Sequence, residues 1–320
     1  MKTKPYISFF FLLFSFNYAQ AFYANTDTVK FTFVNSQKQT ISGQLILPNK
    51  AKSEFPVLIF LTGSAESSFK TNYKGFLKEN FENQFLEEGV ALCYFDKPGL
   101  GLSDGKWFKQ NFYDRASDVK SCIEYLTSTT YIDPKNVGVV GHSQGGWVAQ
   151  IAAAQYPGNI KYFVSLAGPT YSVKRQLISD FQSDLTCKGI GSVEANKSAV
   201  KKTNFVFWLS RFFPFNDNLK QLKKIRNFEP EDMIRKIKVP GLFLFGENDR
   251  LVYKDWCIES LNKIFKERIP SNMQYSVIED ANHSFEIAPF CGDVKRSELK
   301  YSLQFQQELK AYILNQSRKI

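Results

Sequence analysis

Apolar positions change rhythm twice along this chain. From Val29 to Val34 and from Ile41 to Pro48 they alternate or run apolar, punctuated by Asn35, Ser36 and Gly43, which predicts an antiparallel pair of strands at a sheet edge. Short apolar runs then take over: PVLIFLT (56–62), VALCYF (90–95) and NVGVVG (136–141), each followed by helical spacing, near 73–88, 113–127 and 144–156. KYFVSLAG (161–168) is a fourth such run. Strands alternating with helices at this spacing imply βαβ crossovers and a mostly parallel sheet covered on both faces, an α/β architecture. After Pro169 the alternation stops. It resumes at PGLFLFG (240–246), with a helix near 255–268, the run QYSVIED (274–280) and a closing helix near 298–315. The interval 171–238 has helical patterning and no convincing strand, and it is too long for a crossover loop. It is read as a helical cap inserted over the strand ends, dividing the main α/β domain into 22–170 and 239–320.

The first residues stand apart from this pattern. Lys2 and Lys4 precede the apolar run Ile7–Phe16, and AQA at 19–21 places small residues where cleavage would occur. That layout predicts a signal peptide over 1–21 and export to the periplasm or the medium. The run is about half of the ~20 residues a spanning helix needs, so no stable membrane insertion is expected.

Charge is uneven. The 320 residues carry a formal +10, and the cap interval alone holds 14 Lys/Arg against 7 Asp/Glu. The lysines are scattered among leucines and acids without a nucleic-acid-binding motif, so they read as a solvated basic face and no nucleic acid partner is expected. The segment NFVFWLSRFFPF (204–215) adds six aromatics to that interval. Their expected role is to pack the cap onto the domain below; the alternative is that some line an apolar pocket over the strand ends.

Five cysteines, at 93, 122, 187, 257 and 291, allow a disulfide in an oxidising compartment and leave at least one thiol over. Cys93 and Cys122 sit in apolar patterns and read as small buried hydrophobes. No pair has zinc-ligand spacing and the chain holds two histidines, so neither a metal nor another cofactor is expected.

Chemistry concentrates at VVGHSQGGW (139–147), where Gly141-His142-Ser143-Gln144-Gly145 fits G-x-S-x-G between a strand and a helix. An abrupt strand-to-helix turn would strain Ser143 and expose its hydroxyl. Gly141 and Gly145 are needed because side chains there would clash where the two elements cross. The helix N-terminus and the Gln144 N–H would face a developing oxyanion.

A serine hydroxyl needs a base. His142, adjacent to Ser143, should point away from it and act in packing or hydrogen bonding. His283, in EDANHSF after the last strand, is the candidate base. FLFGENDRLV supplies carboxylates after the preceding strand. Asp249 is chosen over Glu247 and Asp280, giving the chain order Ser143, Asp249, His283.

With these residues assembled, the chain resembles an α/β-hydrolase fold serine hydrolase, similar to exported esterases and serine-aminopeptidase-like hydrolases, over nearly all of 29–315. LTGSAES (61–67) resembles the family's H-G-x-x loop with Thr62 in place of histidine, which implies that the Ser64 N–H is the second oxyanion donor. FDKPGLGLSDG (95–105) resembles the D-x-R-G-x-G-x-S turn with Pro98 replacing arginine. That turn is structural in the family, so Asp96 and Lys97 are not assigned catalytic roles.

The expected activity is cleavage of a small-molecule carboxylic ester through an acyl-enzyme. The alternatives are an aminopeptidase or amidase of the same fold and, in another class, a non-catalytic binding protein on that fold.

Overall fold

The computed structural model describes residues 27–49, 54–64, 68–129, 131–292 and 294–318. The leader read at 1–21 lies outside the described residues. One sheet contains β1 (Asp27–Val34), β2 (Thr40–Leu47), β3 (Phe55–Leu61), β4 (Ala91–Phe95), β5 (Ile132–His142), β6 (Tyr162–Leu166), β7 (Gly241–Gly246) and β8 (Met273–Ile278). Their order is β1-β2-β4-β3-β5-β6-β7-β8. Only the β1–β2 and β2–β4 pairings are antiparallel, so β2 alone runs against the rest.

Alternation within the strands builds a core on each face. Val57, Ile59 and Leu61 of β3 enter one apolar cluster, while Leu58 and Phe60 enter the other. The first face is covered by α4 (Phe112–Thr127), α5 (Gln144–Gln155) and α10 (Lys254–Phe265). The second is covered by α11 (Leu303–Arg318) and by the short helices α1 (Phe69–Asn72), α2 (Lys74–Leu77) and α3 (Asn83–Phe85). Helix α4 starts where its sequence caps it. The Asn111 side chain accepts from the Tyr113 and Asp114 N–H groups, and the Asp114 carboxylate accepts from the Asn111 N–H.

Two elements differ from the sequence reading. The single helix expected near 73–88 is broken by a π turn at Lys78–Glu82. Asn80 is buried there, and its side-chain amide donates to the Phe76 carbonyl at 3.0 Å, competing for the acceptor that regular helix would use. The closing helix begins at Leu303 rather than near 298, because the Ser302 hydroxyl accepts from the Phe305 N–H and caps it. The preceding residues form an irregular strap, fastened by a disulfide between Cys187 and Cys291. Cys93, Cys122 and Cys257 are buried free thiols.

Between β6 and β7 come four helices: α6 (Val173–Cys187), α7 (Ser192–Phe212), α8 (Asp217–Ile225) and α9 (Glu231–Lys236). Helices α6 and α7 pack on each other. Helices α8 and α9 send Leu222, Ile225, Met233 and Ile234 into the core of the first face. Among the described residues, no helix is long and apolar enough to cross a membrane.

Because β3, β5, β7 and β8 run parallel, their C-terminal ends open on the same edge of the sheet, where α/β sheets place their ligand sites. Ser64, Ser143, Asp249 and His283 follow those four strand ends in turn.

Candidate active site

Ser143 occupies the residue between β5 and α5 with φ 56° and ψ −123°, a left-handed-side conformation that side chains rarely adopt. The glycines around it are sterically required. A Cβ on Gly141 would overlap the Gly145 carbonyl oxygen, and a Cβ on Gly145 would overlap the Leu61 carbonyl. The strand therefore turns into the helix within one residue and leaves the Ser143 side chain at the cleft, half-buried.

The acid loop follows β7. Asp249 is 2% exposed, and its Oδ1 accepts from the N–H groups of Leu251 and Val252 at 2.8 and 2.9 Å. Its Oδ2 lies 2.8 Å from Nδ1 of His283. That carboxylate fixes the ring so that Nε2 is the nitrogen left for chemistry. Helix α6 braces the same loop: the Ser179 hydroxyl donates to the Leu251 carbonyl at 2.8 Å, and the Ser183 hydroxyl donates to that of Arg250. Glu247 is engaged elsewhere, its carboxylate accepting from the Asp280 N–H at 3.2 Å. Both Glu247 and Asp280 are exposed.

His142 does not bond to Ser143. Its Nε2 donates to the His283 carbonyl at 2.8 Å, so Nδ1 is the acceptor for the Tyr73 hydroxyl at 2.9 Å. The Tyr73 oxygen in turn accepts from the Gly63 N–H at 2.8 Å. Burial first, then the neighbouring His283, pushes the His142 pKa down to about 3. A neutral ring fits this relay, since a carbonyl can only accept and Nδ1 must remain a lone pair.

The loop after β3 is held from several sides. Arg115 donates to the Thr62 carbonyl at 2.6 Å and Lys97 to the Gly63 carbonyl at 3.1 Å, while Tyr73 takes the Gly63 N–H. Among the described residues no hydrogen bond occupies the backbone N–H of Ser64 or of Gln144. The latter opens helix α5 and has no intrahelical acceptor. Burial lowers the Arg115 pKa to about 10 and raises that of Tyr73 to about 12, so both keep their protons at neutral pH.

Ser64, Ser143 and His283 line one cleft together with Tyr73, His142 and Tyr301. A second lobe opens beyond His283, walled by Asp180, Asp184, Lys202 and Arg250. Leu299, from the strap, lines both lobes. Burial raises the Asp180 pKa, and His283 and Lys202 oppose that shift. Among the described residues, no group of three or more His, Cys, Asp or Glu side chains is placed to hold a metal ion.

The cleft thus gathers a serine hydroxyl and a carboxylate-oriented imidazole, with the Ser64 and Gln144 N–H groups nearby, after β3 and β5. Sequence reasoning placed Ser143, Asp249, His283, Ser64 and Gln144 at this edge, and the structure brings them to it. It did not find Tyr73, Lys97 or Arg115 as supports of the loop after β3. Arg115 left a signal, being a charged residue on the inward face set by Phe112, Ala116 and Val119.

The comparisons fit this construction. The sequence profile of the X-Pro dipeptidyl-peptidase (S15) family matches residues 39–201, which is half of the chain and includes the loop after β3 and the elbow. The chain belongs to the S15 family. The serine hydrolase BPHL of Homo sapiens is 25% identical over 232 residues, covering 69% of this chain and 72% of that protein. Est1E from Butyrivibrio proteoclasticus, solved with ferulic acid bound, superposes with a TM-score of 0.58 at 16% identity, over 90% of this chain and 99% of that one. The Pyrococcus furiosus esterase Pf2001 gives a TM-score of 0.57 at 19% identity, over 91% and 89%. These two likenesses establish the α/β-hydrolase fold. This S15 member is thus an enzyme, a serine hydrolase of that fold.

Proposed function

We propose that the enzyme hydrolyses carboxylic esters of small molecules through an acyl-enzyme on Ser143. The observation that carries this reading is the 2.8 Å contact between His283 and the buried Asp249, beside a serine held in a strained elbow. His283 Nε2 takes the Ser143 proton as the oxygen attacks the carbonyl carbon. The N–H groups of Ser64 and Gln144 hold the resulting oxyanion, and the imidazolium returns the proton to the leaving alkoxide. Water then repeats the cycle to release the acid. Asp249 stays ionised throughout and stabilises the imidazolium.

A peptidase reading is favoured by one observation besides the family's description. Asp180 stands in the second lobe beside His283, where it could pair with a substrate amine. Lys202 and Arg250 share that lobe and offset its charge, which supports neutral ester substrates over a free amine. A rate panel separates the readings: p-nitrophenyl esters of increasing acyl length against p-nitroanilides of X-Pro dipeptides. Ester turnover lost in Ser143→Ala supports the proposal. Faster turnover of the anilides transfers the assignment to the peptidase.

Export to an oxidising compartment is part of the same proposal. It is supported by the Cys187–Cys291 disulfide, a bond that persists mainly outside reducing cytoplasm.

A further inference from the structure

The aromatics of 204–215 do not form an acyl pocket. Phe207 packs against the core, but Trp208 is 49% exposed and Phe205, Phe212, Phe213 and Phe215 more so. Four of them form one continuous patch, with the exposed Phe215 following two residues after Phe213. Trp208 has ring centroids at 6.0 Å from Phe205, 5.9 Å from Phe212 and 5.5 Å from Phe213. None of the five lines either lobe of the cleft.

The pattern along α7 explains the patch. Phe205, Trp208 and Phe212 follow each other at helical spacing on one face, and Lys197 and Lys201 continue that face towards the N-terminus. The opposite face carries the buried Ala195, Ala199, Thr203 and Ser210. Small residues thus seat α7 against its neighbours, and the large ones are turned to solvent. Burying four large aromatics elsewhere would contribute favourably, so leaving them exposed together needs a partner to cover them.

Charge selects the partner. Between Lys197 and Arg226 there are eight Lys/Arg and one acid, Asp217, which is itself paired with Lys220 at 2.8 Å. Lys201, Arg211, Lys223 and Lys224 are exposed. Aromatic side chains rimmed by cations are suited to the interface of an anionic bilayer, the rings entering at headgroup level and the cations meeting lipid phosphates. A second copy of this chain would instead bring two basic rims together. We propose that the α7–α8 corner docks the enzyme peripherally on an anionic lipid surface. Lys202, one turn before Phe205 on the same helix, lines the second lobe of the cleft, so docking would set that lobe close to the lipid.

The test mixes the full chain with vesicles of phosphatidylcholine alone, or with about a third phosphatidylglycerol, and follows tryptophan emission and its quenching by bromolipid. Trp107 and Trp147 are buried and Trp256 is half-buried, so it is a blue shift and bromolipid quenching lost in Trp208→Phe that assign the contact to the patch. Binding should favour the phosphatidylglycerol vesicles, weaken with salt, and fall on the order of a hundredfold in Lys201→Gln/Lys223→Gln/Lys224→Gln. A second variant, Phe205→Ser/Phe212→Ser/Phe213→Ser, should lose the shift while turning over soluble esters at the wild-type rate. Because the leader also contains an apolar run, sedimentation with vesicles that leaves Trp208 unshifted and unquenched overturns the proposal. So does concentration-dependent dimerisation that the serine variant abolishes in the absence of lipid. Neither result bears on the ester assignment, which is read from hydrolysis of soluble esters.

Discussion

His142 Nε2 donates to the backbone carbonyl of His283 at 2.8 Å, so the residue before Ser143 fixes the backbone of His283. Through Tyr73 the same ring reaches the Gly63 N–H. Elbow, base loop and the loop after β3 are thereby joined by one chain of hydrogen bonds.

Removing the Tyr73 hydroxyl should break that chain in the middle. Tyr73→Phe leaves the Gly63 N–H and the His142 Nδ1 unpaired in a buried site, costing about 1–3 kcal/mol of stability. The loop presenting the Ser64 N–H would loosen, and kcat should fall roughly tenfold to a hundredfold. KM should change little, since the loss falls on the transition state. A KM effect larger than the kcat effect would show that Tyr73 contacts substrate instead.

The depressed pKa of His142 sets a pH dependence. In the unfolded chain the ring titrates near 6.5, whereas the folded ring stays neutral down to about 3. Between those values the unfolded state binds the extra proton, so this group's contribution to stability is present above pH 6.5 and is lost as pH falls through the window. The slope is at most about 1.4 kcal/mol per pH unit. Urea titrations of wild type and His142→Gln from pH 8 to 4 check it. The variant should be less stable at pH 8 but decline less steeply, and parallel declines would count against a neutral buried ring.

Strain at Ser143 predicts an active-site substitution that stabilises. Ser143→Gly removes the side chain from a residue at φ 56° and should raise stability by about 1 kcal/mol while abolishing turnover. Ser143→Ala keeps the strain and should leave the melting temperature near wild type. Calorimetry of the two variants measures the difference directly.

The two carboxylates after β7 should separate cleanly. Asp249→Asn should lower kcat on the order of ten-thousandfold, because the amide favours the wrong imidazole tautomer. Glu247→Gln, whose carboxylate accepts from the Asp280 N–H and is exposed, should stay within a few-fold of wild type. The reverse order of rates would move the acid to Glu247.

The Cys187–Cys291 bond ties the end of α6 to the strap that carries Leu299 into the cleft. Cys187→Ala/Cys291→Ala should cost about 2–4 kcal/mol of stability. It should also raise KM more than it lowers kcat, as one wall of the cleft loses its anchor. An unchanged KM would mean that its other contacts hold the strap, among them the bridges at Ile287 and Tyr301 and the Asn248 amide on the Ala288 carbonyl.

Much of this site could be read from local sequence. The strand runs, the glycines at 141 and 145 and the polar loops after β7 and β8 are short-range signals, and parallel topology carries them to one edge. Long-range choices were not legible. The partner of Cys187 is 104 residues away, and nothing in either neighbourhood names the other. Tyr73 lies at the start of a segment that reads as regular helix, and nothing local marks its hydroxyl as the partner of Gly63 and His142. The aromatics of α7 were expected to pack inward because apolar residues usually do. Their exposure follows from the small residues on the opposite face, which fit the neighbouring helices more closely.

The central claim is that Ser143, activated by His283, is the nucleophile. Incubation with a fluorophosphonate probe followed by peptide mass spectrometry tests it most directly. The account predicts one adduct per chain, on Ser143, formed rapidly in wild type, slowed at least a thousandfold in His283→Ala and absent in Ser143→Ala. A folded wild-type chain that forms no adduct, or one that carries it on another serine, would contradict it.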